Sequence, residues 1–370
     1  MSKIAELKKI GQSVWFDFIR RSIITSGELS ALVDKGLTGV TSNPAIFEKA
    51  IAGSSDYDED LKQIIKTDRS VEEIYEALAF TDITLATDVL KPVYEATNGK
   101  DGYVSLEVSP KLADDTDKTI VEARRLFETV NRPNLMIKVP ATPAGIPAVT
   151  ELIACGVNVN VTLIFGLENY KAVADAYIAG LEKLTQEGPS VNGGHPSHKV
   201  ASVASFFVSR VDTAVDKALE EKGNTDLRGK IAIANAKVAY AEFKNIFSGP
   251  GWQQLADNGA RVQRVLWAST GTKNPDYSDT LYVDELIGPD TVNTLPPATL
   301  ESFLDHGNIA ETLTAGLDEA RQQLAQLAAL GIDLEDVTQK LQQEGVVAFA
   351  QPFEALMKSI SEKGENLLAT

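Results

Sequence analysis

Three ionisable side chains stand in stretches that otherwise read as buried strands. Asn134-Leu-Met-Ile-Lys-Val-Pro-Ala-Thr142 is apolar around a single charge, Lys138, and is flanked by Pro133 and Pro140. Its length and flanks are those of a strand. Ser13-Val-Trp-Phe-Asp-Phe-Ile19 repeats the pattern with Asp17, and Tyr103-Val-Ser-Leu-Glu-Val-Ser109 alternates, with Glu107 on its polar face. Side chains alternate along a strand, so Met136 and Lys138 face one way while Leu135, Ile137 and Val139 face the other. A central strand of a parallel sheet is covered on both faces, and an ammonium there must be paired, neutralised or chemically employed. Desolvation lowers a lysine's pKa, and a neutral amine is a nucleophile towards carbonyls. Lys138 is therefore a candidate Schiff-base lysine. A lysine at a strand end that snorkels to water or pairs with a carboxylate fits the same stretch, and these residues alone leave both readings open.

The elements that position these groups follow from periodicity. A short helix over 4–10 precedes the Asp17 strand, and Ser26–Gly36 reads as a helix closed by glycine. Gly39-Val-Thr-Ser-Asn-Pro44 is strand then turn, with Pro44 suited to the first position of a helix. Residues 54–97 are helical in pattern, with a capping box at Ser70 and Glu73, and Asn98-Gly99 turns the chain. A helix over 115–130 leads to the Lys138 strand. Another runs from Thr142-Pro143 to Gly156, where Cys155 reads as packing. Strand candidates then recur at Val157–Phe165, Ala201–Val208, Arg264–Ser269 and Thr291–Leu295, with helices over 168–184 and 230–247 and after 208. That makes eight strand candidates, near residues 13, 37, 103, 134, 157, 201, 264 and 291, nearly all followed by helix. The alternation predicts a parallel sheet, and eight units predict closure into a (β/α)8 TIM barrel. An open doubly wound sheet is the other candidate, but no glycine-rich phosphate fingerprint follows the first strand. From Ile309 the pattern is helical nearly to the end. The expected organisation is one domain over 1–370, with 309–370 a helical extension on the outside or bottom of the barrel.

Composition limits the partners. The chain has 370 residues, of which 44% are hydrophobic and 24% charged, enough for a large core. With 35 basic against 52 acidic residues, the formal net charge of −17 repels polyanions, so no nucleic-acid partner is expected. A small phosphorylated substrate is compatible, because one or two cations in a cleft overcome a diffuse negative field. Cys155 is the only cysteine, which precludes an intrachain disulfide and a thiolate zinc cluster. His195 and His198 share a Gly/Pro/Ser-rich loop and read as solvated residues rather than metal ligands. The amino-terminal segment has no signal-peptide pattern, and no uncharged apolar run approaches membrane-spanning length, so a cytoplasmic location is expected.

In a (β/α)8 barrel catalysis takes place at the C-terminal ends of the strands. Asp17, Asn43, Glu107, Lys138, Asn160, Thr162, Ser205, Arg210 and Ser269 each lie late in a strand or just beyond one. Singly, each has a bland explanation as an ion pair, a helix cap or a hydroxyl satisfying a carbonyl. Together they suit imine chemistry: a lysine between two carboxylates that divide acid and base work, amides and hydroxyls for a polyhydroxylated substrate, and Arg210 with Ser269 for a terminal phosphate.

The segments Val14-Trp-Phe-Asp-Phe-Ile19, Gly39-Val-Thr-Ser-Asn-Pro44, Ser105-Leu-Glu-Val108, Ile137-Lys-Val-Pro-Ala-Thr142, Asn158-Val-Asn-Val-Thr-Leu-Ile-Phe165 and Ser205-Phe-Phe-Val-Ser-Arg210 resemble, in order and over nearly the whole chain, those of the transaldolase family. The resemblance implies a class I aldolase barrel without metal or organic cofactor. It implies transfer of a dihydroxyacetone unit from a ketose phosphate to an aldose phosphate, as when sedoheptulose 7-phosphate and glyceraldehyde 3-phosphate give erythrose 4-phosphate and fructose 6-phosphate in the pentose phosphate pathway. By matching position, Lys138 would carry the imine, Asp17 would accept the proton of the C4 hydroxyl, and Glu107 with Thr162 would handle water. Asn43, Asn160 and Ser205 would bind hydroxyls, and Arg210 with Ser269 the phosphate. Many relatives place an arginine two residues after the strand-seven serine. Here that position is Gly271, and whether Lys273 replaces the arginine, as a point charge without its fork, is left open by the sequence. The sequence leaves open monomer or homodimer, a simple aldolase releasing dihydroxyacetone, and a catalytically silent barrel that binds sugar phosphates.

Overall fold

The computed structural model describes residues 2–369. Its strands are β1 (Gln12–Phe16), β2 (Gly39–Val40), β3 (Tyr103–Glu107), β4 (Leu135–Pro140), β5 (Val159–Ile164), β6 (Ser202–Phe207), β7 (Arg264–Ala268) and β8 (Thr291–Leu295). They close into a parallel barrel in chain order, with β8 returning to pair with β1. Each of the eight expected strands is present, and the fold is the expected (β/α)8 barrel. Every residue of β1, β4, β5, β6, β7 and β8 is buried, as strands covered by the lumen on one side and helices on the other must be. Gly39 is small for a steric reason, since a Cβ there would lie 2.5 Å from the Trp15 indole. The N-terminal end of the lumen is plugged by a polar cluster: Arg264 donates to Ser13 Oγ at 2.7 Å and to Asp101 Oδ1 at 3.1 Å, and Trp15 Nε1 donates to the same oxygen at 3.0 Å.

Three local expectations need revision. The span 54–97 is two helices, Asp58–Ile64 and Val71–Ala96, because the Ser70–Glu73 capping box starts a new helix instead of lying inside one. The helical pattern from Ile309 begins only at Leu317; Leu313 lies in the preceding irregular segment, packed over Gly288. His195 is buried, not solvated. Its Nε2 lies 2.9 Å from the Pro133 carbonyl at the entrance to β4, which sets the 188–198 loop at the N-terminal end of the barrel, opposite the expected site.

The largest departure concerns the helix Leu334–Ala369. It does not lie on the outside or bottom but crosses the C-terminal ends of the strands. Gln342 Nε2 donates to the carbonyls of Ala141 at 2.8 Å and Leu163 at 3.1 Å, just past β4 and within β5. Leu163 has φ of +61°, and a Cβ on Gly345 would lie 3.0 Å from its Cδ2. Farther along, Phe349, Phe353, Leu356 and Ile360 are buried at helical spacing, and Lys363 pairs with Asp58 at 2.7 Å. The amphipathic stripe visible in the sequence is thus spent on covering the barrel mouth.

Candidate active site

Register brings the central residues together. Glu107 is the cross-strand partner of Lys138, and Lys138 of Asn160, so three neighbouring strands present one polar row near their C-terminal ends. Lys138 is only 5% exposed, and its Nζ lies 3.2 Å from Glu107 Oε2 and 3.4 Å from the Ser42 carbonyl. The Phe349 ring of the crossing helix covers the ammonium, its centroid 5.5 Å from Nζ. Next along the row, Ser205 Oγ donates to Asn160 Oδ1 at 2.7 Å, and Asn160 Nδ2 donates to Ser105 Oγ at 3.0 Å. Thr162 is fully buried, and its hydroxyl has no hydrogen-bond partner among the described residues.

Asp17 follows directly on β1, where its own N–H donates to the Leu295 carbonyl at 2.9 Å. Thr41 Oγ1 donates to Asp17 Oδ1 at 2.7 Å and lies 2.7 Å from Thr294 Oγ1, so a hydroxyl chain orients the carboxylate. Burial holds Asp17 above the usual carboxylate range; the charges of Lys138 and Lys273 and the Thr41 bond oppose that without cancelling it. Burial likewise raises Glu107, opposed by its pairing with Lys138 and reinforced by the charge of Asp17. Two carboxyl groups of raised proton affinity, both acting on one amine, form the acid–base arrangement that carbonyl addition and elimination require. A cavity of about 90 Å³, lined by Tyr75, Glu107 and Phe353 among others, lies on the flank of β3 beside Glu107.

The remaining expected residues are more dispersed. Asn43 caps the helix Pro44–Ala52, its Oδ1 accepting the Ile46 N–H at 2.9 Å, so only its amide NH2 is left as a donor. Ser269 meets the start of the helix Ser209–Glu221, which also carries Arg210: Ser209 Oγ lies 2.9 Å from Ser269 Oγ, and Ser209 N–H donates to the Ser269 carbonyl at 3.0 Å. Ser269 holds φ of +55°. Arg210 is half-buried beside the Phe207 ring, with no carboxylate partner among the described residues, and desolvation lowers its pKa. A half-buried guanidinium without a carboxylate partner, beside two serine hydroxyls, is suited to an anion. Lys273 is exposed, yet close enough for its charge to act on Asp17. A Cβ at Gly271 would lie 3.0 Å from Thr299 Oγ1, so the position is tightly packed as well as short.

Sequence reasoning missed Thr41, Ser42, Ser105, Gln342 and Phe349. Thr41, Ser42 and Ser105 lie within segments already singled out and could have been found by their faces. Phe349 and Gln342 carry no local signal, since only tertiary docking brings them to the lysine.

A closed parallel barrel with a buried lysine between two carboxyl groups at its C-terminal mouth defines an enzyme scaffold of the class I aldolase type. Residues 14–360 match the family model described as transaldolase/fructose-6-phosphate aldolase. The chain is 49% identical over 378 residues to transaldolase 2 of Nostoc sp., 47% over 378 residues to a transaldolase of Trichodesmium erythraeum and 48% over 367 residues to one of Thermobifida fusca, each pairing covering 98% of both proteins. The chain belongs to the transaldolase family of enzymes. Among the described residues no helix is long and apolar enough to cross a membrane.

Proposed function

We propose that the protein transfers a dihydroxyacetone unit between sugar phosphates through an imine on Lys138. The observation carrying this reading is the buried Nζ of Lys138, 3.2 Å from Glu107, with the raised carboxyl group of Asp17 acting on the same centre. The amine adds to C2 of a ketose phosphate and expels water, with Glu107 and Thr162 handling the proton and the water. Asp17 takes the proton of the C4 hydroxyl. The C3–C4 bond then breaks, its electron pair flows into the C2–C3 enamine, and the aldose phosphate leaves. The enamine C3 adds to an incoming aldose phosphate, Asp17 returns its proton, and water releases the new ketose. Sedoheptulose 7-phosphate with glyceraldehyde 3-phosphate would give erythrose 4-phosphate with fructose 6-phosphate, a step of the pentose phosphate pathway.

Asn43, Asn160 and Ser205 supply the amides and hydroxyl that hold the three-carbon unit, and Arg210, Ser269 and Lys273 the phosphate. The support for the phosphate end is the half-buried guanidinium of Arg210, which has no carboxylate partner among the described residues. All steps are carried by side chains, which fits an enzyme needing neither metal nor organic cofactor. A single-domain chain working in the cytoplasm, with sugar phosphates and not nucleic acid as partners, accords with the acidic composition and with the C-terminal helix docked on the barrel.

The test is borohydride reduction in the presence of fructose 6-phosphate, followed by intact mass and peptide mapping. A reduced three-carbon adduct on Lys138, with glyceraldehyde 3-phosphate released, is expected, and Lys138→Ala should form none while keeping its fold. No adduct on the folded wild-type protein would return Lys138 to a structural lysine. Free dihydroxyacetone exceeding transferred product would identify a simple aldolase.

A further inference from the structure

Beyond the reaction centre, the helix Ser209–Glu221 carries two carboxylates four residues apart that the proposed chemistry does not use. Asp212 is fully buried; its Oδ1 accepts the Ala232 N–H at 2.7 Å and its Oδ2 accepts the Tyr282 O–H at 2.8 Å. Asp216, one turn later and 7% exposed, repeats the arrangement, accepting the Gly229 N–H at 3.0 Å and the Tyr277 O–H at 2.6 Å. A spacing of four puts both on one face of the helix. Each carboxylate therefore joins two segments to the Arg210 helix: the backbone at 229–232, and the stretch between β7 and β8 that holds Tyr277 and Tyr282. The fit is close, since a Cβ on Gly229, at φ of +69°, would lie 2.9 Å from the Tyr277 ring.

The stretch so fastened leaves the barrel at Ser269 and passes through Lys273. A cavity of about 220 Å³ has Asp212, Asp216, Lys273, Tyr277 and Tyr282 in its wall, so Lys273 and both carboxylate–tyrosine pairs share one space. Buried carboxylates are expensive and tend to be inferior to apolar packing where only cohesion is needed. Directional bonds differ from apolar packing in fixing register: the tyrosine hydroxyls fit only one placement of the segment against the helix. A helix whose first turn holds Arg210 and a segment whose ends hold Ser269 and the pairs are thereby locked together.

We propose that Asp212 and Asp216, through Tyr282 and Tyr277, are positioning residues that set the geometry of Arg210, Ser269 and Lys273 and hence the preference for phosphorylated over unphosphorylated acceptors. The proposal rests on the phosphate assignment made above. The experiment compares erythrose 4-phosphate with erythrose as acceptor, at saturating fructose 6-phosphate, for the wild-type protein and for Tyr277→Phe, Tyr282→Phe, the double variant, Asp212→Asn and Arg210→Ala. For the double variant, KM for the phosphorylated acceptor should rise about tenfold with kcat nearly kept, as expected when a binding group is misplaced. The unphosphorylated acceptor should be used as by wild type. Asp212→Asn, which can still accept from Ala232 and bond the Tyr282 hydroxyl, should keep the wild-type preference. Equal losses for both acceptors, or no change in either, would overturn the positioning role. If Arg210→Ala leaves the preference for phosphate intact, the phosphate assignment fails on its own. If Arg210→Ala abolishes the preference while the tyrosine variants keep it, that assignment stands and the positioning role falls.

Discussion

The carboxyl group of Asp212 offers the most quantitative test of the electrostatics. Burial pushes it from an ordinary 3.8 up to about 7, with the charge of Asp216 adding to the rise and the hydrogen bonds from Ala232, Tyr282 and Ile231 opposing it. A folded-state pKa above the unfolded one means that the native protein holds the proton more tightly. The stabilisation is therefore complete at low pH and is lost as pH climbs from the unfolded value through the folded one. At about 1.4 kcal/mol for each tenfold change in proton affinity, the whole effect is about 4 kcal/mol. Somewhat more than half of it falls between pH 5 and pH 8. Asp212→Asn removes the titration while keeping the shape, so the stability of the variant relative to wild type should improve by that amount from pH 5 to pH 8. For a chain of this size the relative Tm change is about 3 °C. Taking the difference between the two proteins cancels the other raised carboxyl groups, Asp17, Asp82 and Glu107. Thermal scans at pH 5, 6, 7 and 8 with both proteins decide it. A constant offset between the two curves would refute the reasoning, because it would mean that Asp212 is ionised at every one of those pH values.

Asp17→Asn should slow C3–C4 cleavage by about 10² or more if Asp17 is the base, with imine formation from dihydroxyacetone, read by borohydride trapping, much less affected; equal losses would make Asp17 mainly positional. Phe349→Ala removes the ring lying 5.5 Å from the lysine Nζ and should admit water to the enamine. The yield of free dihydroxyacetone per transfer should rise, and an unchanged ratio would show that the ring does not shield the intermediate. Glu107→Gln leaves Lys138 without its 3.2 Å partner and should slow trapping of the adduct with fructose 6-phosphate about tenfold or more, whereas trapping at the wild-type rate would assign the proton transfers elsewhere.

The barrel was legible in the sequence because each strand is a short apolar run closed by a turn, and that pattern is local. Even β2, reduced to Gly39–Val40, announced itself through the following Asn43-Pro44 helix start. The pairing of Glu107 with Lys138 was legible only as two residues late in consecutive strands; their distance is a consequence of register, which no single strand encodes. Where the reading failed, the missing information was tertiary. Periodicity in 334–369 shows that one face is covered but not by what, so the helix was expected on the outside of the barrel although Gln342 anchors it across the mouth. His195 failed in the same way: a Gly/Pro-rich loop looks solvated, and only its approach to the Pro133 carbonyl shows otherwise.

The helix over the mouth also bears on how the site is entered. Lys138 is 5% exposed beneath Phe349, so a sugar phosphate reaches it only if something above moves. That helix is fastened by the Gln342 amide on two barrel carbonyls and on Asn169, by Lys363 on Asp58 and on the Ile51 and Ser54 carbonyls, and by a stripe of apolar side chains interrupted by Gly345 and Pro352. If substrate enters by displacing that helix, a variant that welds it down would gain heat resistance and lose speed together.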